Sequence, residues 1–150
     1  MEDKMTFKEY QKKQAVDCFN KTWDYIDKTD RTPEETLEMI HCAHASRFLW
    51  GQVGEPINFE RGEWQISKVY YLAGNPERAL YHGQACLDIC LAHEIKDFDL
   101  VFAYEAVANA YKLLEDEDNL NKYKQLAYSG LEGISDKGNR EYAESELNKI

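Results

Sequence analysis

The chain repeats part of its own sequence, and this repeat constrains the fold more than any other feature. A shift of 41 residues keeps size and polarity largely unchanged at six positions, which pair Ile66 with Val107, Ser67 with Ala108, Tyr70 with Tyr111, Leu72 with Leu113, Ala79 with Leu120 and Cys86 with Ala127. A shift of 43 residues carries 32–34 onto 75–77 and Ala43 onto Cys86. An interval of this length is typical of proteins that stack copies of one small supersecondary unit, because a single copy cannot bury its own apolar face.

Proline and glycine predict where the helices begin and end. Thr32–Pro33 and Asn75–Pro76 each place an N-cap side chain before a proline at the first helical position. Gly54 and Gly74 follow the ends of predicted helices, where glycine is common. No segment shows the alternating β-branched pattern that predicts a strand. We therefore predict an all-α chain of about seven helices, at approximately 6–28, 33–51, 56–73, 76–93, 98–115, 117–133 and 138–149.

The connections between these helices are only a few residues long, so sequential helices are expected to pack antiparallel as hairpins. With 150 residues and 43% hydrophobic residues, the chain is predicted to be a single domain over residues 1–150. Within it we expect an atypical first pair at 6–51, two better repeats at 56–93 and 98–133, and a polar capping helix at 138–149.

The segment WQISKVYYLAGNPERALYHGQACL resembles a tetratricopeptide repeat. In that family, small residues in both helices of a pair let them approach closely, and Ser67, Ala79 and Cys86 match those places. The resemblance implies a right-handed superhelix of stacked antiparallel helix pairs. Two departures are a repeat longer than the family's usual length and Leu120 where alanine is typical. The phrases HASRFLWGQVG, RGEWQISKVY and DFDLVFAYEA also resemble a bacterial protein family, which implies the same fold and adds no expectation about function.

The tetratricopeptide resemblance also implies a binding face, since in that family the first helices of successive pairs line a concave groove for peptides. The positions that match this groove carry aromatic, cationic and amide groups: Arg61, Trp64, Lys68, Tyr71, Phe102, Glu105, Asn109 and Lys112. Trp64 and Phe102 have an alternative role, which is to pack against the N-terminal helices. The favoured function is a protein- or peptide-binding module without catalysis, whose partner could be a second copy of the chain.

A second group of polar residues follows one side of the second predicted helix, where His41, His44, Arg47 and Trp50 recur every three residues. His44 aligns with core positions of the later copies, so it needs a hydrogen-bond partner, for which Glu63 and Tyr104 are candidates. These residues form either a buried structural network or a pocket for a small ligand. In the second case the chain would be a sensor or enzyme, with an anion held by Arg47 and Arg61 beside the stacking surface of Trp50 or Trp64.

Metal sites and nucleophilic catalysis have incomplete signatures. Glu38 and His41 form one Glu-x-x-His unit without a second, and His82, Cys86 and Cys90 share a helix face without a fourth zinc ligand. No glycine-rich phosphate loop or nucleophile motif is present in the sequence. We therefore predict no metal, no cofactor and no catalytic residues.

The charge balance excludes some classes of partner. The chain has 28 acidic and 18 basic residues, a formal net charge of −10, and no cluster of lysine or arginine that would attract nucleic acid or an anionic membrane. The N-terminal residues lack the apolar segment of a signal peptide, and no apolar run is long enough to span a bilayer. A cytoplasmic location with four free cysteines is expected.

Overall fold

The computed structural model describes residues 4–150, which form seven α-helices and one turn of 3-10 helix. The helices are α1 (Phe7–Asp27), α2 (Pro33–Val53), α3 (Pro56–Leu72), α4 (Pro76–Ala92), α5 (Phe98–Leu113), α6 (Glu117–Gly130) and α7 (Lys137–Leu147). Every bound lies within three residues of its predicted place, and α6 ends earlier than expected because 131–133 tighten into the 3-10 turn. The all-α prediction is confirmed, and residues 4–150 contain no strand.

The predicted helix starts are confirmed by their hydrogen bonds. The Thr32 hydroxyl accepts from the Glu35 N–H at 3.2 Å, and the Glu35 carboxylate accepts from the Thr32 N–H at 3.2 Å. This capping box satisfies two N–H groups at the helix start. Asn75 and Asp116 cap α4 and α6 in the same way, each accepting from the backbone N–H three residues later. Local sequence therefore determines where these helices begin.

The turn between α3 and α4 has the same geometry as the turn between α5 and α6. Gly74 and Glu115 both adopt positive φ, at 75° and 58°. The N–H of Asn75 donates to the carbonyl of Tyr70 at 2.9 Å, and the N–H of Asp116 donates to that of Tyr111 at 3.1 Å. These bonds close the end of each first helix in a left-handed turn.

The side chains beside these turns also repeat. Tyr70 stacks on His82 with 5.7 Å between ring centroids, and Tyr111 stacks on Tyr123 with 5.6 Å between centroids. His82 and Tyr123 are themselves 41 residues apart. The second and third helix pairs are therefore copies in space as well as in sequence.

The first pair follows the same plan with a different offset. The connection between α1 and α2 has five residues, 28–32, whereas the connection between α3 and α4 has three, 73–75. A shift of 45 residues carries Ala15 onto Glu60, and the shift of 41 carries Glu60 onto Val101. All three residues are buried, at 0%, 1% and 2% exposure. The longer connection hides this match from a comparison at 41 or 43 residues.

The helices form an inner and an outer layer. Each neighbouring pair packs together, and α3 also contacts α1 and α5, so the first helices of the three pairs lie side by side. The final helix, α7, packs on α5 and α6, where Ala143 and Leu147 join the apolar core around Val101 and Phe102. No helix within residues 4–150 has the length and apolar character needed to cross a bilayer.

Candidate functional site

A cleft of about 240 Å³ lies on the inner layer, between α1, α3, α5 and α7. Six of its lining residues are aromatic: Phe19, Trp23, Trp64, Phe98, Phe102 and Tyr142. The other three are Glu60, Arg61 and Asp99. The cleft exists because the inner helices of all three pairs and the terminal helix present aromatic side chains to the same space.

The aromatic rings of the cleft contact one another from α1 to α7. Trp23 stacks on Trp64 with centroids 5.8 Å apart, and Trp64 meets Phe102 edge-on at 6.0 Å. Phe102 in turn lies 5.9 Å from the ring of Tyr142, which is 48% exposed. Rings at these separations hold each other in place and offer faces and edges to an apolar guest.

One ion pair borders the cleft. Arg61 donates two hydrogen bonds to Asp99, from Nε to Oδ1 at 2.8 Å and from Nη2 to Oδ2 at 3.1 Å. The hydrogen bond with Asp99 raises the pKa of Arg61. The guanidinium predicted to hold an anion is therefore already paired with a carboxylate.

A shallower depression continues from the cleft along α3 and α5. It is lined by Lys68, Tyr71 and Asn109, among others, and shares Trp64 with the cleft. Trp64 and Glu105 also line this depression, and Trp64 Nε1 donates a hydrogen bond to Glu105 Oε1 at 3.2 Å. Burial raises the pKa of Glu105 to about 7. This depression joins a polar surface to the aromatic cleft.

The structure brings together most of the residues predicted for the groove. Arg61, Trp64 and Phe102 line the cleft, while Lys68, Tyr71, Glu105 and Asn109 line the depression beside it. Lys112 is exposed further along α5 and lines neither. Five further lining residues were not predicted: Phe19, Trp23, Glu60, Phe98 and Tyr142. Phe19, Trp23 and Tyr142 lie on α1 and α7, outside the two better repeats, whereas Glu60 and Phe98 lie on α3 and α5 at positions that were not assigned to the groove. Asp99 was missed as the partner of Arg61.

A partly buried polar network occupies the contact of α2, α3 and α4. Glu63 accepts from Arg47 Nε at 2.7 Å and from His82 Nδ1 at 2.8 Å. Burial favours a raised pKa for Glu63, but the hydrogen bonds and charges of His82 and Arg47 outweigh burial and lower it. His44 is hydrogen-bonded through Nε2 to the Tyr70 hydroxyl at 2.9 Å. Each of these polar groups has a protein partner.

The residues predicted for an alternative ligand pocket are spread over several places. The partner of His44 is Tyr70, so neither Glu63 nor Tyr104 has the role expected for it. His41 is exposed, and Tyr104 packs near Tyr123 with centroids 6.4 Å apart. Trp50 lines a small hollow beside the cleft, together with Phe19 and Arg61. His44 and Arg47 thus have side-chain hydrogen-bond partners, and the six predicted residues do not line one common space.

Two thiols and a carboxyl group meet behind the cleft. One ligand atom each of Glu60, Cys86 and Cys90 lies within 4.8 Å of the other two, and all three residues are buried. Cys90 Sγ donates to Glu60 Oε2 at 3.0 Å. Burial, together with a hydrogen bond to Asp99, raises the pKa of Glu60 to about 10. His82, which the sequence placed on the same stripe as these cysteines, instead bonds to Glu63.

No protein-family model matches the chain, and neither a curated protein nor a solved structure matches it. The evidence for function therefore comes from the geometry of the chain itself.

Proposed function

We propose that the chain is a non-catalytic protein-interaction module of the tetratricopeptide-like type, whose cleft takes one large apolar side chain from an extended segment of a partner. The observation that carries this proposal is the cleft lined by six aromatic side chains from four helices. The repeated turns and stacked pairs at Tyr70 and Tyr111 support the family resemblance.

The size of the cleft favours a side chain over a whole small molecule. Pockets for drug-sized ligands span roughly 300–1,000 Å³, whereas this cleft holds about 240 Å³. Protein interfaces commonly depend on one or a few anchoring side chains that fill a well-packed pocket. An aromatic or branched aliphatic residue of a partner segment is the guest that fits such a cleft.

The depression beside the cleft supplies contacts for the rest of the segment. Lys68 and Asn109 line it and offer donors and an amide, while the indole N–H of Trp64 is already bonded to Glu105. We assign Lys68, Asn109 and the more distant Lys112 to polar contacts with the backbone that flanks the anchor. The partner segment would then run along the inner layer from α1 and α7 toward the end of α5.

A random peptide library displayed on phage and selected against the full chain tests this function. Selected peptides are expected to share one large apolar residue. Their dissociation constants should rise about tenfold in Tyr142→Ala, because truncating an aromatic residue that lines the anchor pocket costs on the order of 1–2 kcal/mol. Quenching or shifting of tryptophan fluorescence gives a direct signal, since Trp23 and Trp64 line the cleft.

The matched control is Tyr81→Ala, which removes an exposed tyrosine of α4 that does not line the cleft. Tyr81→Ala should bind the selected peptides as the unchanged chain does. Peptides that bind Tyr142→Ala and the unchanged chain equally well would overturn the proposal, as would selected sequences that share only charged residues.

A further inference from the structure

The cluster of Glu60, Cys86 and Cys90 can be compared with the equivalent place in the third helix pair. A shift of 41 residues carries these three onto Val101, Ala127 and Leu131, which belong to one apolar core. The first pair has Ala15 at the position of Glu60, also fully buried. The fold therefore packs this position with hydrocarbon in two copies and places a carboxyl group there in only one.

Burying a carboxyl group and two thiols at such a position lowers the stability of the fold. Glu60 is 1% exposed, Cys86 1% and Cys90 0%, and burying polar groups without full hydrogen bonding costs free energy. The hydrogen bonds of Glu60 with Cys90 and Asp99 offset part of this cost. Because these three residues lower the stability of the fold, we expect them to serve a function. Two thiol sulfurs and a carboxyl oxygen are atoms that bind metal ions.

We propose that Glu60, Cys86 and Cys90 bind one thiolate-preferring divalent metal ion, of the class of zinc, with a fourth coordination position facing Asp99 and the cleft. Cys86 and Cys90 are four residues apart on α4, so their side chains project from the same face of the helix. Glu60 faces them from α3 and also lines the cleft. Sulfur ligands favour zinc over magnesium or calcium, which bind oxygen.

The ligand atoms need only a small contraction to reach coordinating distances. They lie within 4.8 Å of one another, and zinc binds sulfur at about 2.3 Å and carboxylate oxygen at about 2.0–2.2 Å, which places tetrahedral ligands somewhat closer together. Side-chain rotation of Glu60 and the two cysteines supplies this movement. Three protein ligands with one open position form the arrangement that zinc adopts where a further molecule can join its coordination sphere.

Zinc binding changes the charge of the three ligand residues. The two thiols and the carboxyl group of Glu60 each release a proton to solvent, and three anionic donors around a divalent ion leave one net negative charge. Arg61 already pairs with the Asp99 carboxylate, with an Nε–Oδ1 distance of 2.8 Å, so the occupied site keeps this negative charge. The site lies behind the cleft and does not depend on peptide binding, so either proposal can fail without the other.

The test uses the full chain, reduced and stripped with a chelator, and zinc as the probe. Titration in competition with a chromophoric chelator should show one zinc ion per chain with a dissociation constant of about 1 µM or lower. Cobalt in place of zinc should give the intense near-ultraviolet absorption of cobalt–thiolate bonds. The absence of saturable zinc binding, or a cobalt complex without thiolate absorption, would overturn the assignment.

Variants locate the ion. The triple variant Glu60→Val, Cys86→Ala, Cys90→Leu installs the side chains of the third pair, so it should fold and bind no zinc. The control Cys42→Ala, which removes a buried thiol of α2 outside the cluster, should keep one equivalent. Retention of zinc by the triple variant, or its loss in Cys42→Ala, would place the ion elsewhere and refute the proposal.

A milder variant keeps the test decisive if the triple variant does not fold. Glu60→Gln preserves shape and an acceptor for Cys90 but cannot supply an anionic ligand. Changes that only disturb the outer shell of a metal site already cost about 10–100-fold in affinity, so Glu60→Gln should weaken zinc binding at least tenfold. Unchanged affinity, with unchanged circular dichroism, would contradict the proposal.

Discussion

Glu105 shows how one buried carboxyl group links the stability of this chain to pH. It lies on α5 and is 4% exposed, with Trp64 of α3 as its hydrogen-bond donor at 3.2 Å. Burial raises its pKa from 4.5 to about 7. Between those two values the folded chain therefore binds more protons at this site than the unfolded chain, so the free energy of unfolding falls as pH rises from 4.5 to about 7.

The variant Glu105→Gln should remove that dependence, because the amide keeps an acceptor for Trp64 and does not ionise. Ionisation of Glu105 lowers the free energy of unfolding of the unchanged chain by about 3 kcal/mol between pH 4.5 and pH 8, as each unit of pKa difference is worth about 1.4 kcal/mol. Urea unfolding at the two pH values should therefore show that the stability of Glu105→Gln, relative to the unchanged chain, is higher at pH 8 than at pH 4.5 by that amount. The exposed Glu144→Gln is the control, and equal pH dependence in Glu105→Gln and the unchanged chain would refute the role of Glu105.

Single residues of the site were predictable where the repeat reached them. Trp64, Lys68 and Asn109 follow from aligning α3 and α5 with the tetratricopeptide pattern, and they line the cleft or its neighbouring depression. The pairing of His44 with Tyr70 did not follow from sequence, since two helices must first be placed side by side before the tyrosine hydroxyl comes within 2.9 Å. Helical periodicity gives the face of a residue but not its partner across an interface.

The helices and their turns were predictable because their signals are local. The Thr32 capping box, the prolines that begin α2 and α4, and Gly74 at the end of α3 act within four residues of themselves. The register of α1 was not predictable from the same comparison, since its connection to α2 has two more residues than that of the next pair. Capping residues, prolines and glycines predict where a helix begins or ends. A change in loop length, by contrast, changes the offset at which the helix on one side of the loop aligns with its repeat.

Gly74 gives a prediction at the level of the turn. Its φ of 75° is in the left-handed region, which costs an L-residue about 1 kcal/mol. Gly74→Ala should therefore lower the free energy of unfolding by about 1 kcal/mol and the melting temperature by about 2–4 °C. Calorimetry measures both.

Gly133→Ala is the matched control for this turn. A Cβ would meet nothing within 4 Å at either glycine, but only Gly74 has positive φ. Gly133→Ala should leave stability unchanged or slightly raised, because alanine restricts the unfolded chain. A loss of the same size at both positions would show that backbone conformation is not the cause.

At the scale of the whole molecule, the cleft depends on parts of the chain that do not resemble the repeat. Phe19 and Trp23 come from α1, and Tyr142 comes from α7. Alignment of the repeat predicted residues of the cleft on α3 and α5. The residues contributed by α1 and α7 could not be predicted without knowing where these helices pack. The sequence predicted α7 only as a polar capping helix, and the structure adds that this helix also closes the cleft.

The two roles of α7 can be separated by two substitutions on the same helix. Leu147 is 1% exposed within the core of the third pair, whereas Tyr142 is 48% exposed at the edge of the cleft. Leu147→Ala should lower the free energy of unfolding by about 2–4 kcal/mol through lost burial and the cavity it leaves. Tyr142→Ala should lower it by less than about 1 kcal/mol, because much of its ring already contacts water.

Urea unfolding of both variants measures these changes, and amide hydrogen exchange reports where the chain opens. Leu147→Ala should speed exchange in α7, since loosening this helix removes its contact with α5. Tyr142→Ala should leave that exchange unchanged while weakening peptide binding. If Tyr142→Ala destabilised the fold as much as Leu147→Ala, the exposed ring would be part of the core, and α7 would serve stability alone.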